Sequence, residues 1–147
     1  MKTYFIHYFQ EHLRQLHQEI SAYQNEADLW IVAPGISNSA GNLCCHLIGN
    51  LNHYIGAALG HTGYQRDREL EFSIKNVPQA QLLQAIEKLS GVVTETLQGI
   101  DDWEADYPEN YFAPQQTIAY YMFRFLTHFN YHLGQINYHR RLLSEAL

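Results

Sequence analysis

The sequence predicts an all-α fold, a four-helix bundle with a crossover connection between its second and third helices. Three observations carry that expectation. Apolar residues form 46% of the chain and recur at three- and four-residue spacing in the long segments, where strands would alternate. Between the second and third of these segments lies a charged, Gly-containing stretch too long for a hairpin turn, and long enough to cross the bundle. The length of 147 residues suits one domain, 1–147, with a core that needs no disulfide or metal to hold it.

The first helix is expected from about Thr3 to Ala27, because Phe5, Phe9, Leu13, Leu16, Ile20 and Tyr23 fall on one face. His7, His12 and His17 step by five residues and so turn about 140° each time, which spreads them around the helix as surface residues. Pro34 and Gly35 break the following linker, and Ser37 or Ser39 is placed to cap the second helix, about Ala40 to Leu59. That helix carries an apolar stripe through Leu43, Leu47, Leu51, Tyr54 and Ala58. Beside it runs a polar one through His46, Asn50 and His53. Its glycines at 41, 49, 56 and 60 cost helix propensity but permit close approach. Adjacent Cys44 and Cys45 diverge on a helix and read as small buried residues of a reduced protein.

From Gly60 to Asn76 the chain reads as an ordered connection without a helix of its own. Arg66 and Arg68 are expected to pair with Asp67, Glu69, Glu71 or helix ends, with a substrate-anion role as the alternative. The third helix opens at Pro78 and runs to about Leu97, with Leu82, Leu83, Ile86, Leu89, Val93 and Leu97 inward. In the acidic loop that follows, Trp103, Tyr107, Tyr111 and Phe112 read as packing residues. The fourth helix starts at about Gln115.

On that last helix His128 and His132 stand four residues apart, so both imidazoles leave one face about a turn apart. A pair at this spacing can chelate one ion. His46 and His53 are seven residues apart, as are His132 and His139, roughly 10 Å along the axis, too far for either pair to share an ion directly. A third ligand must therefore come from another segment, with His46 or His53 as the candidates. Three neutral imidazoles would leave positions open on a divalent transition metal, which acidifies a water or a thiol there. Zinc and nickel suit such a site, as do iron, manganese and copper. Asn50 and Gln135 are candidates to orient a ligand, and Tyr121 and Tyr131 to line the pocket, against a plain packing role for both tyrosines.

The run His46-Leu47-Ile48-Gly49-Asn50-Leu51, together with His128 to Ile136 (H-x-x-x-H-x-G-Q-I), resembles the DinB-like superfamily. The stretch Gly63 to Phe72 is similar to the G-x-x-R-x-R-x-x-E-F segment of one branch. What the resemblance implies is a four-helix bundle, often a homodimer, holding a divalent metal through His46, His128 and His132, with His53 at the rim. It also implies thiol-dependent chemistry, since the superfamily includes S-transferases that use bacillithiol and isomerases that use mycothiol. A metal-dependent transferase using a low-molecular-weight thiol, or a hydrolase, acting on a small-molecule substrate is the leading expectation. A noncatalytic binding module and a metal-free structural bundle are the alternatives.

A formal charge of −6 with scattered Lys and Arg argues against nucleic acid as a partner. The N-terminus lacks the continuous apolar run of a secretory signal, and no stretch is apolar enough for a membrane span, so a cytoplasmic address is expected.

Overall fold

The computed structural model describes residues 1–109 and 114–144; Tyr111 and Phe112 lie outside them. Among the described residues the elements are α1 (Lys2–Ser21), α2 (Ala40–Leu51), α3 (Arg68–Ser73), α4 (Gln79–Gln98) and α5 (Ile118–Ser144). The four long segments pack as a helical bundle, and the short α3 sits in the crossover. Side-chain pairs fix their directions. Lys2, Gln10 and His17 bond in turn to Gln98, Thr94 and Glu87, so α1 and α4 are antiparallel. Phe5 meets Phe123, His12 meets Phe129 and Asn137 reaches Glu19, so α1 and α5 are parallel. Cβ atoms added at Gly56 and Gly60 would meet Val92 and Thr96, while Cys45 and Gly49 share a hollow with Gln81 and Ala85, so α2 and α4 run the same way. That parallel pairing is what the long crossover makes possible.

The expected apolar stripes form the core. Phe5, Phe9, Leu13, Leu16 and Ile20 are buried on α1, and Leu82, Ile86, Leu89, Val93 and Leu97 on α4, with Leu83 only partly so. Gly41 lies so close to the Trp30 ring that a Cβ would sit 2.8 Å from it, so one of the glycines serves loop packing. No helix among the described residues is long and apolar enough to cross a membrane.

Five expectations need correction, each for a local reason. The first helix stops at Ser21, short of Ala27; the Asn25 side chain accepts from Ala27 N–H (3.2 Å) and starts a separate 3₁₀ turn, Glu26–Trp30, which drops Leu29 and Trp30 into the core. The second helix widens after Leu51 into a π-helical turn, Asn52–Ala57. The crossover does hold a helix: Asp67 accepts from Leu70 N–H at 2.9 Å and caps α3, with Glu69 and Glu71 in its first turn. His12 is half-buried, edge-on to Phe129, where a surface position was expected. The start of α5 shifts from Gln115 to Ile118 because 105–107 and 116–118 pair first as extended chain, through Tyr107 N–H to Gln116 O and Ile118 N–H to Ala105 O, each 2.9 Å. Trp103 and Tyr107 are buried there as packing residues, and the Tyr107 hydroxyl donates to Tyr54 O at 2.7 Å.

Candidate metal centre

Ser39 caps α2 by accepting from Asn42 N–H at 3.2 Å, which sets the register that turns His46 and Asn50 inward. Asn42 in turn donates to Glu71 O (3.0 Å) and Ile74 O (2.8 Å), which pins the C-terminal end of α3 against α2. Across from them α5 presents His128 and His132. The outcome is a group of three imidazoles, His46, His128 and His132, with one nitrogen from each lying within 4.8 Å of the others. His46 Nε2 and His132 Nε2 each stand 3.2 Å from His128 Nε2. Nitrogens bound at about 2.0–2.1 Å around a tetrahedral ion are about 3.3–3.4 Å apart, so the spacing fits one divalent cation.

Proton accounting strengthens the fit. His46 Nδ1 lies 3.0 Å from Glu71 Oε1. A carboxylate only accepts, so the proton sits on Nδ1 and the Nε2 lone pair faces inward. His132 Nδ1 lies 2.7 Å from Gln135 Oε1 and is fixed in the same way. His128 Nε2 therefore faces two lone pairs, and its Nδ1 is buried with no hydrogen-bond partner among the described residues. A single proton on His128 Nε2 can serve one of those two lone pairs and leaves the other unpaired, whereas a cation at the centre uses all three Nε2 lone pairs. Burial first, then the neighbouring His132 and His46, pushes the His128 imidazole down to about 4, and burial also lowers His132. Both rings are thus neutral near pH 7, the form that ligates metals.

Glu71 is the functional residue that sequence reasoning missed. It is only 6% exposed, bonds His46, and is clasped by Arg66 through Nε to Oε2 and Nη2 to Oε1, each 2.8 Å. Burial alone would raise its carboxyl pKa; the Arg66 and His46 hydrogen bonds outweigh that and hold it below the usual carboxylate range. A Cβ on Gly49 would overlap this carboxylate, so the glycine in the His46–Leu51 run is there to let Glu71 in. The visible signals were that glycine and a lone acid between Leu70 and Phe72. Of the expected pairings, Arg66 takes Glu71, whereas Arg68 lies over the Phe72 ring, 5.1 Å from its centroid.

The other predicted residues divide. Asn50 lines the same cavity of about 400 Å³ as the three histidines, with its buried Oδ1 unpartnered among the described residues. Gln135 supports His132 from outside. Tyr131 is 64% exposed, with its ring 5.1 Å from that of His132, beside a second, more apolar cleft of about 550 Å³ that touches the triad only at His132. Tyr121 is fully buried in the core, stacked on Tyr107 at 4.1 Å. His53 packs against Tyr54 and is not one of the converging imidazoles.

The model of the family described as a protein of unknown function (DUF1572) matches residues 3–146. The chain belongs to that family. No curated protein and no solved structure gives a significant match. Membership in DUF1572 brings no activity with it.

Proposed function

We infer that this DUF1572 protein binds one divalent transition metal, zinc or nickel by preference, through His46, His128 and His132, and uses it to transfer a small thiol to an electrophilic small molecule. The observation that carries the reading is the convergence of three Nε2 atoms at 3.2 Å spacing around His128, with the outer Nδ1 positions of His46 and His132 tied off. A divalent cation there would supply Lewis-acid chemistry that makes a thiol or a water acidic near neutral pH.

The chain's own residues do the rest. Glu71 and Gln135 hold two imidazoles in the ligating tautomer. Asn50 Oδ1 offers an acceptor to a bound molecule, and Phe72 and Phe125 give the cavity an apolar wall. In the reaction the thiol gives up its proton, sulfur bonds to the electrophilic carbon, and that carbon's leaving group departs with its electron pair. The DinB-like resemblance of the His46–Leu51 and His128–Ile136 runs favours the thiol over hydrolysis. It also favours a cytoplasmic homodimer, for which the exposed Phe123, Tyr131, Tyr138 and Leu142 on α5 offer apolar surface.

The test is transfer of a low-molecular-weight thiol to a reactive electrophile by metal-loaded and metal-stripped protein. Activity in the loaded form alone is expected. Full activity after stripping contradicts the mechanism, and a metal-loaded protein inactive with every thiol contradicts the transferase reading.

A further inference from the structure

The cavity that holds the triad is also where basic charge collects. Three of the chain's nine Lys and Arg side chains, Arg66, Arg68 and Arg124, line it, in a protein of formal charge −6, and among the described residues no Asp or Glu lies in that lining. The three are not equivalent. Arg66 is occupied by its two bonds to the buried Glu71. Arg68, on α3, rides on the face of Phe72 and has no carboxylate partner among the described residues. Arg124, on α5, stands one helical turn before His128 and lines the same cavity. The two exposed guanidinium groups thus approach one opening from two different helices, beside the three imidazoles.

A positive field in a partly enclosed cavity concentrates anions, and a guanidinium offers a planar fork that matches a carboxylate or a phosphate. We propose that Arg68 and Arg124 form an anion subsite beside the triad, so that the molecule taken by this site carries a carboxylate or phosphomonoester group. The proposal rests on the cavity's being the functional site, and names the class of molecule that fills it. A divalent cation would add positive charge to the same cavity and sharpen the preference.

The two anion sources are separable. Chemical shifts of the ¹⁵N-labelled protein would be followed during titration with succinate, with methyl phosphate, and with uncharged succinamide, on metal-free and zinc-loaded protein. One anion is expected to bind at least about tenfold more tightly than succinamide in both forms, with shifts centred on the cavity. Arg68→Gln and Arg124→Gln should each weaken it about tenfold, whereas Arg14→Gln, on the exposed face of α1, should not. Zinc uptake is measured in parallel on every variant. Loss of anion binding with zinc uptake retained assigns the effect to the arginines, and a wild type that takes no zinc yet binds the anion removes the metal reading alone. Equal affinity for anions and amide, or arginine variants that bind as wild type, overturns the subsite.

Discussion

Helix α5 carries two sets of inward-facing histidine, and they are satisfied in different ways. Towards its C-terminal end, His139 accepts at Nδ1 from the Tyr23 hydroxyl (2.6 Å) and donates from Nε2 to Ile31 O (2.9 Å). Both nitrogens are used, and the ring is 8% exposed. Two turns earlier, His128 and His132 point lone pairs at a shared centre, and His128 Nδ1 finds no partner among the described residues. The residue type and the helix are the same. What separates a structural histidine from a ligand is the list of its partners: both His139 nitrogens are paired within the chain, whereas the Nε2 lone pairs converging at the triad outnumber the protons available between them.

Substitutions on the two sets should therefore fail in opposite ways. His128→Ala or His132→Ala is expected to lower metal affinity by more than about 100-fold, beyond the roughly 10–100-fold typical of losing a ligand's supporting partner, with the fold intact. His139→Ala should keep the metal and lower unfolding free energy by about 2–4 kcal/mol, because the Tyr23 hydroxyl and Ile31 carbonyl lose their partner. Calorimetric metal titration alongside denaturant unfolding reads both. Metal loss in His139→Ala would erase the distinction.

A finer probe acts on the support of the triad. Glu71→Gln removes the charge that fixes the His46 proton, and Gly49→Ala forces the same carboxylate aside. Both are expected to weaken metal binding about 10–100-fold. If Gly49→Ala leaves affinity unchanged while Glu71→Gln reduces it, the glycine has no part in placing the carboxylate.

The smallest effect is on pH dependence, and its sign follows from His128. Its folded pKa of about 4 lies below the ordinary histidine value of 6.5, so the unfolded chain binds more protons between those values. Metal-free protein should be most stable above about pH 6.5 and lose on the order of 1 kcal/mol as pH falls towards 4, a figure reduced because the ring is only half-buried. Glu71, whose pKa is lowered, contributes in the same direction at still lower pH. His128→Ala should flatten the upper part of that profile.

These sites were unequally legible in the sequence. The His128–His132 pair is a local pattern, and helical spacing places both rings on one face whatever the tertiary fold. The apolar stripes of α1 and α4 are legible for the same reason. His46 needed the family-like run around Gly49, since spacing alone left His53 open. Glu71 is hidden because its contact with His46 spans a crossover whose own helix depends on the Asp67 cap. His12 is not legible because an even spread around a helix does not say where the neighbouring helix lies, and Phe129 lies against it.

The most direct test of the shared centre is the metal content of protein made without a nickel column, measured by elemental mass spectrometry before and after stripping and reloading with zinc. About one equivalent of a divalent transition metal per chain is expected, lost in His128→Ala and retained in His139→Ala. Protein that carries no metal as isolated and takes up none on reloading would contradict the central claim.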